Sequence, residues 1–150
     1  MNTDFHDILS AFIAEGVEFL LVGAYALAAH GVPRATGDMD LWVRPARDNA
    51  ERVWRALAAF GAPVSGLSAE ELATRGLIFQ IGVAPRRIDV ITSIDGVEFA
   101  EAWPGRTEVH IEGLVIPVLG RSDLIRNKRA VGRPKDQADL ALLEELAQDD

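Results

Sequence analysis

The residues that most constrain the fold are Asp38 and Asp40, which lie in the otherwise apolar segment DMDLWV. In a β-strand, alternation would direct Met39, Leu41 and Val43 to one face and both carboxylates to the other. The Cα atoms of the two aspartates would then be roughly 6 to 7 Å apart. Carboxylates so close repel each other and are costly to bury unpaired. The segment therefore predicts a strand with one face in the core, whose acids either hold a hard cation such as Mg²⁺ or are simply exposed.

The segments on either side of this strand predict an α/β protein of the α+β type. Apolar runs predict strands at 19–22, 38–43, 77–83, 87–92, 109–111 and 114–119. Thr3 and Ser122 are predicted N-caps of helices, and Asp48 and Glu51 have the spacing of a capping box. Further helices are predicted to begin near Gly23 and Pro134, with a short helix at SAEEL. This order predicts a mixed central sheet flanked by helices, with a C-terminal helical pair. No repeat or linker divides the chain, so we expect a single domain over 1–150.

Composition excludes several classes of protein. The 150 residues include no cysteine, which excludes a disulfide framework, a thiolate nucleophile and a Cys-ligated zinc site. No apolar run approaches the roughly 20 residues that span a bilayer, so no membrane partner is expected. The acidic start MNTDFHD lacks the basic region of a secretory signal. A cytoplasmic location is therefore expected.

The distribution of charge predicts the kind of ligand. A formal charge of -8 disfavours a protein that coats duplex nucleic acid, because phosphates repel an acidic body. A basic cluster nevertheless lies near the C-terminus; its members are Arg121, Arg126, Lys128, Arg129, Arg133 and Lys135. Such a cluster suits a small polyphosphate or one end of an RNA. The alternative is a solvated helix face.

Gly23 is the first of two further features that bear on the acid pair. It lies about 15 residues before Asp38, follows an apolar strand and opens a predicted helix. Backbone N–H groups at such a turn, with no side chain in the way, can receive a phosphate. The alternative is a tight strand-to-helix turn with no ligand.

Asp89 is the second feature, since it interrupts the apolar segment RRIDVIT. A carboxylate in that position adds a third acid from a different strand. The alternatives are an edge-strand acid that faces water and an ion pair with Arg86 or Arg87. Together, a phosphate-binding turn at Gly23, an acid pair and a third acid are the parts of a two-metal phosphoryl-transfer site.

The segment FLLVGAYALAAHGVPRATGDMDLWV resembles the opening of the nucleotidyltransferase superfamily in its small stand-alone bacterial form. Members have an apolar strand, Gly followed by Gly or Ser, a spacer, and an acid pair. Gly23, Asp38 and Asp40 match these positions, and Asp89 matches the acid on a later strand. The tail SDLIRNKRAVGRPKDQADLALL is similar to small members related to toxin–antitoxin and phage-abortive systems. The chain departs from the pattern at Ala24, where a hydroxyl that could bond a phosphate is missing.

The resemblance implies the nucleotidyltransferase fold and a metal-dependent enzyme. Asp38, Asp40 and Asp89 would bind Mg²⁺ or Mn²⁺, and an NTP would be the co-substrate. A nucleoside monophosphate would pass to a hydroxyl acceptor with release of pyrophosphate. Asp89 would also help to draw the proton from that hydroxyl.

The resemblance also implies which residues bind the nucleotide. Gly23 and Ala24 would hold the terminal phosphates through their backbone. Lys128, Arg34 and Lys135 would neutralise the triphosphate, although Lys128 is also typical of a helix lysine whose ammonium reaches solvent.

Three functions remain open on the sequence. The first is transfer to an RNA end, a protein side chain or a small molecule. The second is a toxin–antitoxin partner that acts mainly by binding a cognate protein. The third is a metal-dependent phosphohydrolase or nuclease that uses the same acids. Macromolecular acceptors are favoured, because an antibiotic-type acceptor would usually need a binding region beyond this minimal core.

Overall fold

The structure is a computed structural model that describes residues 1–34 and 37–148. Ala35 and Thr36, in the spacer before the acid pair, lie outside the described residues. The helices are α1 Thr3–Ala14, α2 Gly23–Ala29, α3 Arg47–Phe60, α4 Ala69–Leu72, α5 Phe99–Ala102, α6 Arg121–Val131 and α7 Pro134–Gln148. The strands are β1 Phe19–Val22, β2 Met39–Val43, β3 Ile78–Ile81, β4 Ile88–Ile91, β5 Thr107–Ile111 and β6 Leu114–Val118. None of the described helices is long and apolar enough to cross a membrane.

The six strands form one mixed sheet in the order β3-β4-β2-β1-β6-β5. Strand β1 is antiparallel to β2 and parallel to β6, whereas β2 and β4 are parallel to each other. The hairpins β3–β4 and β5–β6 complete the two edges. The predicted mixed sheet flanked by helices is therefore confirmed, and α6 packs against α7 as the predicted C-terminal pair.

The acid-bearing strand β2 is held by the core behind it. Met39, Leu41 and Val43 are fully buried, as their alternation predicted. Helices α1 and α3 pack against each other, and α3 also contacts β2. Phe5, Ile8, Leu9 and Phe12 of α1 and Ala50, Val53, Ala56 and Leu57 of α3 are buried there. At about 25 cal/mol per Å² of apolar surface, this burial is the main favourable contribution to folding.

Two predicted helix caps are wrong by one or two residues. The side chain of Asn2, rather than Thr3, caps α1 by accepting from the backbone N–H of Phe5. Helix α6 starts at Arg121 after Gly120, so the predicted cap at Ser122 is already inside the helix.

Two further local predictions differ from the structure. Helix α3 has no side-chain cap, because its N-cap residue is Ala46; Asp48 lies inside the first turn and pairs with Arg44 at 2.9 Å. The sequence also gave no signal for α5, whose Phe99 packs edge-on against the buried Trp42 with ring centroids 5.1 Å apart. Its capping box uses Glu98, which is not among the common cap residues.

One buried amide joins α3 to the strands that carry the acids. Asn49 is fully buried, and its side chain accepts from the Glu18 backbone N–H at 2.8 Å. It also donates to the backbone carbonyls of Glu18 and Arg44, both at 3.0 Å. Glu18 precedes β1 and Arg44 follows β2, so a single side chain satisfies both strand ends.

We predict that Asn49→Ala lowers the free energy of unfolding by about 2–3 kcal/mol, because it leaves buried backbone groups without partners. Urea denaturation measures this quantity. Glu51→Ala, at an exposed position of the same helix, is the control and should change it by less than about 0.5 kcal/mol. Equal losses in the two variants would show that the amide bonds contribute little.

Candidate functional site

Sheet register brings the three predicted carboxylates to one place. Asp40 is opposite Asp89 in the parallel pair β2–β4, so their side chains lie on the same face of the sheet. Asp38 immediately precedes β2 and lies two residues before Asp40, so strand alternation directs it to the same face as Asp40. Asp89 is only 8% exposed, although it interrupts an otherwise apolar strand. It is therefore not an edge-strand acid that faces water.

Gly23 lies directly against the acid pair. Its preceding residue, Val22, is opposite Asp40 in the antiparallel pair β1–β2. A Cβ atom at position 23 would come within 2.3 Å of Asp40 Oδ2, and the φ of +67° is one that L side chains rarely adopt. Glycine is thus required here twice, by its backbone conformation and by the carboxylate packed against it.

All eight predicted site residues line one cavity of about 380 Å³. They are Gly23, Ala24, Arg34, Asp38, Asp40, Asp89, Lys128 and Lys135. Three further residues complete its lining, namely Leu27, Arg87 and Arg133. We call the carboxylates on the sheet the acidic wall, and the cations of α6, α7 and the segments beside them the basic wall. The acidic wall consists of Asp38, Asp40 and Asp89, and the basic wall of Arg34, Lys128, Arg133 and Lys135. The roles assigned to these residues remain predictions.

Ionisation of the carboxylates in the acidic wall is unfavourable at Asp40. Burial raises the pKa of Asp40 to about 6, and repulsion from Asp89 and Asp38 adds to the effect. The raised pKa means that simultaneous ionisation of all three carboxylates is unfavourable in the ligand-free protein. A hard divalent cation would relieve the repulsion, and carboxylate oxygens are the ligands that Mg²⁺ prefers. The chemistry of these donors therefore fits the predicted metal.

Arg87 lies between two of these acids. Its Nη2 is 3.2 Å from Asp38 Oδ2, and its Nε is 3.2 Å from Asp89 Oδ1. The predicted alternative of an ion pair at Asp89 is thus realised, with Arg87 rather than the exposed Arg86. Within residues 1–34 and 37–148, no three His, Cys, Asp or Glu side chains are arranged to hold a metal ion together.

The basic wall is fixed by two buried carboxylates of α7. Lys128 Nζ is 3.0 Å from Asp136 Oδ1 and 3.4 Å from Asp139 Oδ2. Arg34 pairs with Asp139, and Arg133 pairs with Asp136 through its Nε at 2.6 Å. Arg133 and Lys128 hold the pKa of Asp136 well below its usual range. Because Lys128 is only 7% exposed, it is not a helix lysine whose ammonium reaches solvent.

Sequence reasoning assigned no role to Asp136 or Asp139; it considered Arg87 only as a possible ion-pair partner of Asp89 and Arg133 only as a member of the basic cluster. Asp136 and Asp139 are fully buried although aspartate is rarely so. Their spacing of three residues on a helix was the available signal, since it places both side chains on one face. For Arg87 the signal was its position two residues before Asp89, which gives it the same face of the strand.

No family model matches the sequence, and no curated protein does either. Solved structures do match the fold. A nucleotidyltransferase-like protein of Thermotoga maritima is 17% identical with a TM-score of 0.62, and the match covers 94% of this chain and 90% of that one.

Two antibiotic-modifying enzymes are also similar in structure. ANT(2″)-Ia in complex with adenylyl-2″-tobramycin is 17% identical with a TM-score of 0.59, over 95% of this chain and 90% of that one. The lincosamide antibiotic adenylyltransferase LnuA, bound to lincomycin, is 13% identical with a TM-score of 0.59, over 97% of this chain and 98% of that one. These likenesses extend over nearly the whole described chain, and they show that the protein has the nucleotidyltransferase fold.

Proposed function

We propose that the protein transfers a nucleoside monophosphate from an NTP to a hydroxyl acceptor, with Mg²⁺ or Mn²⁺ and release of pyrophosphate. The observation that carries the proposal is the cavity in which three carboxylates face a basic wall, set in a nucleotidyltransferase fold. A metal-dependent phosphohydrolase could use the same acids. The basic wall suits a polyphosphate substrate in either reaction, and the likeness of the fold to nucleotidyltransferases favours transfer over hydrolysis.

The basic wall supplies net positive charge to the triphosphate. Arg34, Lys128 and Arg133 face two carboxylates, so one positive charge remains uncompensated, and Lys135 adds another. The pairing also keeps the cations in place before the substrate arrives, which lowers the entropy lost on binding. The backbone at Gly23 and Ala24 would hold the terminal phosphates. Ala24 leaves that contact to the main chain, because it carries no hydroxyl.

The acidic wall would act on the acceptor. Asp38, Asp40 and Asp89 would hold the divalent ion, which would supply positive charge to offset the charge that develops on the phosphate oxygens. Asp89 accepts the proton of the acceptor hydroxyl, whose oxygen then attacks the α-phosphorus in line. The bond from the α-phosphorus to its bridging oxygen breaks, and pyrophosphate leaves. The chain contributes mainly position and electrostatics, as phosphoryl transfer requires.

The acceptor is the open part of the proposal. The sequence favours macromolecular acceptors, because an antibiotic-type acceptor would usually need a binding region beyond this minimal core. LnuA weakens that reason, since this chain spans 98% of an adenylyltransferase that binds lincomycin. RNA, protein and small hydroxylated molecules are therefore tested together. A toxin–antitoxin partner and a cytoplasmic location remain predictions.

The test incubates the protein with each α-labelled NTP, Mg²⁺ or Mn²⁺, and separate RNA, protein and small-molecule fractions of a lysate. Asp38→Asn, Asp40→Asn and Asp89→Asn should each lower incorporation at least about 100-fold, because each removes a ligand of the catalytic ion. Asp95→Asn, an exposed acid four residues after β4, is the matched control and should retain activity.

The labelled fraction identifies the acceptor class. Release of nucleoside monophosphate without incorporation would replace the proposal by hydrolysis. NTP binding with neither product would favour the binding role. Equal activity in the wild type and all three aspartate variants would show that the acids are not catalytic.

A second prediction concerns the basic wall. Asp139→Asn should raise the dissociation constant for an NTP about tenfold, because Arg34 and Lys128 lose the carboxylate that positions them. Isothermal titration calorimetry measures this constant, and kinetics should show a rise in KM that exceeds any fall in kcat. Glu144→Gln, on the same helix but paired with Arg129, is the control. A fall in melting temperature with unchanged NTP affinity would make Asp139 purely structural.

A third prediction follows from the raised pKa of Asp40. Between its ordinary value near 3.8 and about 6, the folded protein binds more protons than the unfolded chain. The free energy of unfolding, measured in chelator, should therefore fall as pH rises from 4 to 7, relative to Asp40→Asn, by about 2 kcal/mol. Mg²⁺ at pH 7 should stabilise the wild type more than this variant. Parallel pH curves for the two proteins would contradict the assignment.

A further inference from the structure

Arg87 carries an inference that deepens the proposed function and rests on it. The guanidinium bridges Asp38, which immediately precedes β2, and Asp89 of β4 through two nitrogen–oxygen distances of 3.2 Å. Both acids are among the proposed metal ligands. The guanidinium therefore lies where a divalent cation would also relieve the repulsion between Asp38 and Asp89.

The fold anchors the backbone of Arg87 and leaves its side chain partly exposed. The carbonyl of Arg87 accepts from the Met39 backbone N–H at 2.9 Å, which joins it to the β2–β4 pairing. The side chain is 36% exposed, whereas that of Asp89 is 11% exposed. A rotation of the arginine side chain toward solvent would thus release both carboxylates without disturbing the sheet.

Arginine suits this position better than lysine. Its planar guanidinium places two nitrogens beside two carboxylates at once. A lysine ammonium is a compact point charge on a flexible stem. The bridging geometry therefore uses what distinguishes arginine from other cations.

We propose that Arg87 is the resident counter-ion of the acidic wall, and that a divalent cation binds by displacing its guanidinium from Asp38 and Asp89. Arg87 is then a positioning residue with two effects. It stabilises the fold when no ion is bound, and it weakens the affinity for the ion because its own ion pairs must break first. The released guanidinium remains at the cavity edge.

The experiment measures Mn²⁺ affinity without NTP by electron paramagnetic resonance at pH 7.5. Arg87→Gln should lower the dissociation constant about tenfold, since two partly exposed ion pairs no longer compete. Arg87→Lys keeps the charge but can serve only one carboxylate. Its dissociation constant for Mn²⁺ should lie between those of Arg87→Gln and the wild type. Arg86→Gln, an exposed neighbour of equal charge, should stay within about twofold of the wild type.

Thermal unfolding provides a second readout. In chelator, Arg87→Gln should melt below Arg86→Gln, and saturating Mn²⁺ should remove the difference. An unchanged or weaker Mn²⁺ affinity in Arg87→Gln would overturn the proposal, as would equal tightening in Arg86→Gln. If Arg87→Gln does not fold, the affinity of Arg87→Lys decides, and a value no tighter than the wild type overturns it. Nucleotide incorporation plays no part in these measurements, so failure of the transfer reaction is distinguished from failure of this inference.

Discussion

Repulsion among three carboxylates at one face of a sheet is the constraint around which the structure is arranged. The parallel pairing of β2 with β4 sets Asp40 opposite Asp89, and the antiparallel pairing with β1 brings Gly23 against Asp40. Burial then raises the pKa of Asp40, so the acids are held together by the fold and not by their own interactions. A sheet edge or a loop could not impose this, because neither has fixed neighbours on both sides.

The rest of the fold supplies the rigidity that this arrangement needs. Strands β1 and β2 are central in the sheet and are almost wholly buried. Asn49 satisfies backbone groups at the ends of both strands, which fixes α3 relative to them. Helix α7 positions the basic wall in a similar way, because its buried Asp139 forms ion pairs with Arg34 and Lys128 from two other parts of the chain. Each wall is therefore positioned before any substrate binds.

The features that were predicted from the sequence are those encoded locally. Alternation in DMDLWV predicted which side chains of β2 are buried, and a polar interruption identified Asp89. Residues whose importance depends on packing between distant segments were missed. Asp139 matters only because α7 lies beside Lys128 and Arg34, and nothing in its local sequence reveals that contact. Arg87 was considered only as a possible partner of Asp89, because its bridge to Asp38 depends on sheet register.

The opposed charges of the two walls restrict what the cavity can bind. A free polyanion would meet the basic wall but would be repelled by Asp38, Asp40 and Asp89 on the other side. A divalent cation alone would meet the acids but would have to compete with Arg87. A polyphosphate that carries its own cation satisfies both walls at once, because its negative oxygens and its metal face opposite directions. Under the proposed function, the charge pattern would therefore favour a metal–nucleotide complex over either component alone, independently of the identity of the acceptor.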